Sequence, residues 1–96
     1  MAAEVLSFEK NEKENAYYAT FVSDGNPVTI QIKNKGGYVT VHANIEGMKP
    51  VILYPNVRDS NGAPDSIFRV AGIVAGVEIT IKSATEVLEA KMIKEG

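Results

Sequence analysis

Strict alternation of apolar and polar residues is the feature that most constrains how this chain can fold. Three runs show it, over residues 28–33, 39–46 and 77–82. Successive side chains of a β-strand point to opposite faces, so each run presents one face to a core and the other to water. In the middle run the predicted core-facing set extends from Val39 to Ile45. The pattern is rich in Val, Ile and Thr and predicts antiparallel strands.

Turn-forming residues separate these runs at regular intervals. The chain has 96 residues, 45% of them hydrophobic, which suffices for one core and one domain spanning 1–96. The spacing predicts an all-β fold, an antiparallel β-sandwich of about seven or eight strands with an immunoglobulin-like or jelly-roll layout. A barrel stays open as an alternative. Segment 34–37 is expected to be a hairpin turn between the first two runs. The turn segments are 24–27, 34–37, 47–50, 61–65 and 72–76.

The segment 84–95 is compatible with two structures. Ser83 and Glu86 have the spacing of a helix capping box, and several residues that follow are good helix formers. Apolar residues at 88, 90 and 92 nevertheless alternate with their neighbours. After a clear strand in an all-β pattern, the interpretation we favour is a strand that closes a hairpin with its predecessor. The charged run 9–15 is interpreted as a solvated loop or a strand end.

Charge and cysteine content exclude several classes of function. Ten basic residues stand against twelve acidic ones, giving a net charge of -2. Nucleic-acid binders commonly show a basic excess, so no nucleic-acid partner is expected. The chain has no cysteine, hence no disulfide framework and no thiolate chemistry. Residues 1–8 do not resemble a signal peptide, and no segment approaches the apolar length of a membrane span. A cytoplasmic site of synthesis is therefore expected, with no membrane partner.

No motif of a catalytic, metal or cofactor site emerges. His42 is the single histidine and lies on the polar face of its predicted strand. A metal ligand or general base needs partners that the sequence does not supply. The loop 59–65 carries several oxygen-bearing residues, but it lacks the spacing of a calcium-binding loop and is typical of a turn. The sequence predicts no enzyme activity, no catalytic residue, no metal and no cofactor.

Two segments are apolar on both faces, 17–22 and 51–54. A small sandwich has one inner layer, so the second apolar face of such a strand needs cover from a loop or from a neighbouring subunit. Both possibilities are open at this point. The second predicts a symmetric homo-oligomer, a dimer or trimer of the chain's own copies. The predicted interface residues are Tyr17, Tyr18, Phe21, Ile52 and Tyr54.

Three stretches, 18–23, 39–48 and 76–83, together resemble small all-β accessory proteins of tailed bacteriophage virions. These are head-decoration or head-fibre components, those of crAss-like gut phages among them. The resemblance implies a non-enzymatic structural subunit that binds its own copies and a major capsid protein. It also implies location in the virion after assembly in the host cytoplasm. It brings no catalytic residues with it.

An alternative function is a small carbohydrate- or protein-binding module of a bacterial surface system. Stacking of a sugar on an exposed aromatic ring is the chemistry that such a module needs. The sequence contains no Trp, so tyrosines are the residues available for that role. Tyrosine is also common at subunit contacts. The eligible residues are Tyr17, Tyr18, Tyr38 and Tyr54.

Overall fold

The computed structural model describes residues 3–55, 57 and 65–95, and within them the fold is all-β, with nine strands and no helix. The antiparallel sandwich predicted from the alternation is confirmed. The strands are β1 (Glu4–Val5), β2 (Glu9–Asn11), β3 (Ala16–Val22), β4 (Val28–Asn34), β5 (Val39–Asn44), β6 (Val51–Tyr54), β7 (Asp65–Val70), β8 (Glu78–Ser83) and β9 (Val87–Lys94). The number exceeds the predicted seven or eight because the short strands β1 and β2 form in the N-terminal segment, part of which we interpreted as a loop or strand end.

The strands form a four-stranded sheet of order β1-β9-β4-β7 and a five-stranded sheet of order β2-β3-β8-β5-β6. Four of the pairings are nested along the chain: β1 with β9, β3 with β8, β4 with β7, and β5 with β6. This is a long antiparallel hairpin wound on itself into two sheets, which is the jelly-roll layout. Of the two predicted layouts, the strand order therefore matches the jelly roll, with β2 added at one edge.

Two predicted hairpins are wrong. Segment 34–37 does not join paired strands, because β4 lies in the four-stranded sheet and β5 in the five-stranded sheet. Likewise β9 pairs with β4 and β1 rather than with β8. In both places the chain crosses from one sheet to the other. Alternation predicts a strand and its buried face, but it does not identify the neighbouring strand.

The alternating runs supply the core, as predicted. Ile30 and Ile32 of β4 face Val41 of β5 and Ile79 and Ile81 of β8 across the two sheets, and all are essentially inaccessible to solvent. Burying an aliphatic side chain of this size stabilises the fold by about 1.5–3 kcal/mol. The interior between the sheets is thus filled by branched aliphatic side chains.

The last segment is a strand, as favoured from its alternation. Ala90 and Met92 are buried against the core, and β9 lies between β1 and β4 in the four-stranded sheet. The serine of the apparent capping box has another role. The Ser83 hydroxyl donates to the carbonyl oxygen of Thr85 at 2.7 Å. Tertiary pairing with β4 therefore prevails over local helix propensity.

The strand connections gather at the two ends of the sandwich. One end, which we call the clamp end, contains the connections 35–38 and 84–86. The opposite end, which we call the groove end, contains the connections 23–27, 45–50 and 71–77. All five of these connections are described by the structure, so the two ends can be compared directly.

Buried polar side chains hold the clamp end. The Asn34 side-chain amide donates from Nδ2 to Ser83 Oγ at 2.9 Å and thereby links the two sheets. The backbone N–H of Gly36 donates to Asn34 Oδ1 at 3.0 Å, and the Thr85 hydroxyl donates to the Gly36 carbonyl oxygen. Asn34 and Ser83 are fully buried. These four residues form a network in which the buried polar atoms have partners, which is the condition for such a network to stabilise a fold.

Candidate assembly surface

The structure does not bring the five predicted interface residues onto one surface. Tyr17 and Phe21 lie on the core-facing side of β3, opposite the buried residues Ser83 and Ile79 of β8. Phe21 packs against the core cluster, and so does Tyr54 of β6. The cover for these three side chains thus comes largely from within the chain. Their partial burial thus comes from the core, which is neither the loop nor the neighbouring subunit that the sequence left open.

Tyr18 and Ile52 are the two members of the predicted set that face outward. Tyr18 lies opposite Lys82 on β8, and the Lys82 ammonium nitrogen is 5.9 Å from the centre of its ring. The Tyr18 hydroxyl donates to a carboxylate oxygen of Glu14. Tyr18 therefore already has intrachain partners. Ile52 lies three strands away on β6 and is exposed.

A β-bulge explains why the two faces of β6 do not alternate simply. His42 pairs with Ile52, whereas its neighbour Val41 pairs with Tyr54, so Leu53 is an extra residue in the ladder. Ile52 shares the outer face of the five-stranded sheet with His42, while Leu53 and Tyr54 both contact the core cluster. The doubly apolar character of segment 51–54 thus has a local cause. The bulge turns two consecutive apolar residues inward.

An apolar groove of about 390 Å³ opens at the groove end of the sandwich. Its walls come from the end of β5 and the turn after it, from the first residue of β6, and from the connection between β7 and β8. Aliphatic side chains dominate its lining, and only Asn44 and Lys49 contribute polar side chains. The lining residues are Ala43, Asn44, Ile45, Met48, Lys49, Val51, Gly72, Ile73, Val74 and Val77.

Ile45 was predicted to face the core and is instead 63% exposed. Strand β5 ends at Asn44, and the chain then turns so that the N–H of Met48 donates to the Ile45 carbonyl oxygen at 2.8 Å. Gly47 makes this turn possible because its φ of 86° lies in the left-handed region, which other residues avoid. The prediction failed because alternation continues in the sequence for two residues beyond the end of the strand.

Apolar residues inside turns are the signal that sequence reasoning missed. Ile45, Met48 and Val74 all occupy connections between strands, where polar residues are the rule. Each is more than half exposed. A scan for large aliphatic residues within glycine- or proline-bounded turns would have found Met48 and Val74, but not Ile45, which precedes Gly47. The two-sided strands that we singled out are mostly explained by packing within the chain.

Asp24 and Lys94 form an ion pair elsewhere at the groove end, with Oδ2 and Nζ 3.6 Å apart. The Asp24 carboxylate also accepts a hydrogen bond from the backbone N–H of Asn26 at 3.0 Å. That hydrogen bond is the main reason why the pKa of Asp24 lies below its ordinary value of 3.8, and the charge of Lys94 lowers the pKa further. Desolvation opposes the shift but does not cancel it. The pair fixes the loop 23–27 to the end of β9.

His42 lies on the outer face of β5, between Thr80 of β8 and Ile52 of β6. Within 3–55, 57 and 65–95, no cluster of three or more His, Cys, Asp or Glu side chains has the arrangement of a metal site. The loop 59–65, weighed above for calcium, lies outside the described residues except for the backbone of Asp65. The described part of the chain also contains no helix long and apolar enough to cross a membrane.

Comparison with protein-family models, with curated proteins and with solved structures finds no match to this chain.

Proposed function

We propose that this chain is a non-enzymatic structural subunit that associates with its own copies and with a larger surface, a phage capsid, through the apolar groove. The observation that carries the proposal is the exposure of large aliphatic side chains at the groove end. Exposed apolar patches with a polar rim are typical of protein interaction sites. Removing that area from water favours association by about 25 cal/mol per Å².

The virion part of the proposal draws on the resemblance of segments 18–23, 39–48 and 76–83 to phage head accessory proteins. The jelly-roll layout is compatible with it, since viral capsid proteins include jelly rolls. Lectins include them as well, so the layout does not choose between the two functions. The position of the coding gene is an inexpensive test. Neighbouring capsid and portal genes would support a virion protein, whereas neighbouring polysaccharide-uptake genes would contradict it.

Two valines provide a matched test of the groove. Val74 lines it and is 72% exposed, while Val5 on β1 of the other sheet is 74% exposed. We expect Val74→Asp to weaken self-association, because a carboxylate in the groove must lose its hydration when a partner docks. We expect Val5→Asp to leave self-association unchanged. Light scattering coupled to size exclusion, over a range of protein concentrations, measures both.

Two results would contradict the proposal. If the unmodified chain stays monomeric at high concentration, self-association through the groove is wrong. If Val5→Asp and Val74→Asp weaken association equally, the groove is not the contact. Far-ultraviolet circular dichroism of both variants checks that each retains the β-sheet signal of the unmodified chain.

A second candidate function, binding of a carbohydrate, is favoured by the surroundings of Tyr38. This tyrosine is exposed at the clamp end and lines a shallow depression of about 380 Å³ together with Thr40 and Lys82. An open aromatic ring beside hydroxyl and ammonium groups suits a sugar, which stacks its apolar face and donates or accepts hydrogen bonds at its edge. Specific hits on a glycan array that disappear in Tyr38→Ala would support this function over assembly.

A further inference from the structure

The four edge strands of the two sheets differ in how they are protected against pairing with another chain. An exposed edge invites a further strand, and proteins commonly prevent this with charged residues or very short strands. Three edges follow the rule: β1 is two residues long and carries Glu4, β2 carries Glu9 and Lys10, and β7 carries Arg69. Strand β6 has the sequence Val-Ile-Leu-Tyr and carries no charge.

We propose that β6 pairs antiparallel with β6 of a second copy across a two-fold axis, joining two five-stranded sheets into one of ten strands. The inference rests on the self-association in the proposed function and specifies its partner and geometry. Among the described strands, β6 pairs with β5 alone, so its other side is an edge. Val51 belongs both to this edge and to the groove, and the apolar surface is therefore continuous from one to the other.

The side-chain faces of β6 select one register. Ile52 faces outward with His42, whereas Val51 pairs with Ala43 on the core-facing side and Leu53 contacts the core. Residues directly opposite each other in a sheet share a face. A two-fold axis at Ile52 places Ile52 opposite its own copy and Val51 opposite Leu53. An axis between residues 52 and 53, or at Leu53, would place Ile52 opposite a core-facing residue.

Charge and apolar exposure both favour a second copy as the partner. Among the described residues, the outer row that would continue across the axis consists of Thr20, Thr80, His42 and Ile52, so this row brings no carboxylate, lysine or arginine against its own copy. Homodimer interfaces are more apolar than other protein interfaces. Five aliphatic residues on and beside β6 are each more than half exposed and could supply such a surface. They are Ile45, Met48, Val51, Ile52 and Val74.

Because the chain has no cysteine, a cysteine introduced by substitution is the only thiol of the variant, and any disulfide between two copies forms through it. In the proposed register the two Cα atoms of residue 52 lie about 4.5–5.5 Å apart, which a disulfide can bridge. Ile52→Cys is compared with Ile67→Cys, since Ile67 is an exposed isoleucine on the charged edge strand β7. Under mild oxidation we expect Ile52→Cys to form a covalent dimer at least about tenfold faster, because pairing raises the effective thiol concentration.

Three results would overturn the inference. They also distinguish failure of the β6 pairing from failure of the proposed function. Equal cross-linking of Ile52→Cys and Ile67→Cys would overturn it, as would no cross-linking of Ile52→Cys while light scattering shows self-association. In both cases the groove remains the candidate contact. A monomeric unmodified chain would overturn the self-association and the β6 pairing together. As a second measurement, Ile52→Lys should abolish the dimer, with Ile67→Lys as its control.

Discussion

At the clamp end, buried side chains hydrogen-bond between the two sheets and hold two short connections. At the groove end, the connections are longer and leave aliphatic side chains exposed, although the Ser23 hydroxyl there donates to the Ile73 carbonyl oxygen at 3.2 Å. The clamp end buries Asn34 and Ser83 and adds an ion pair between Lys35 and Glu86 at 3.1 Å. At the groove end, Ser23 exchanges backbone hydrogen bonds of 2.8 Å with the connection 71–77. The side-chain hydrogen bond between the two sheets thus lies at one end of the sandwich, while the exposed aliphatic surface available to a partner lies at the other.

The largest effect on the free energy of unfolding is expected from removing the buried hydrogen bonds of the clamp end. Asn34→Ala removes the donor to Ser83 Oγ and the acceptor for the Gly36 N–H, and leaves buried polar atoms without their partners. We expect the free energy of unfolding to fall by about 1–3 kcal/mol. Urea unfolding of the monomer measures it, at concentrations below association. A loss no larger than that of a surface substitution would mean that the network does not hold this end.

A much smaller effect on the free energy of unfolding is expected from a substitution at the groove end. Met48→Ser replaces an exposed side chain on the turn, so the free energy of unfolding of the monomer should change by less than about 0.5 kcal/mol. The same urea experiment measures this change in the free energy of unfolding. Association should nevertheless weaken, because Met48 lines the groove. If Met48→Ser destabilised the monomer as much as Asn34→Ala, the contrast between the two ends would be lost.

The smallest effect concerns the Asp24–Lys94 pair and depends on pH. Because the pKa of Asp24 is lowered in the folded state, its contribution to stability is present above the ordinary value of 3.8 and is lost as pH falls through the lowered pKa. Asp24→Asn should therefore be slightly less stable than the unmodified chain at pH 7. The two should converge as the pH falls through the lowered pKa of Asp24. Thermal unfolding at pH 7 and at a series of acidic pH values tests this, and a constant difference would contradict the assigned cause.

Alternation alone was enough to predict the architecture and most of the core. The buried residues Ile30, Ile79 and Ile81 all lie on predicted core-facing positions, and the strand after residue 86 follows from the same pattern. Strand partners could not be predicted, since a period of two contains no information about which sheet a strand joins. Segment 34–37 was therefore interpreted as a hairpin turn, and segment 84–95 as a strand that closes a hairpin with its predecessor. In both places the chain instead crosses between the sheets.

The surfaces were less predictable than the core for a physical reason. Exposure of Ile45 depends on where β5 ends, and that is set by the turn at Gly47 rather than by the apolar pattern. The inward position of Tyr54 depends on the bulge at Leu53, which the sequence does not reveal. Of the five predicted interface residues, Ile52 is the one that the proposed pairing uses directly.

The nested strand order also governs how the chain reaches its fold. Thr20 and Thr80 lie opposite each other although 60 residues separate them, and Glu4 lies opposite Met92. Such pairs form only after a long loop has closed, so folding on the scale of milliseconds to seconds is expected. The β5–β6 hairpin is local and can form much earlier, within about 1–10 μs. When that hairpin forms first, the uncharged edge strand is exposed to neighbouring chains before the outermost pair, β1 with β9, has closed.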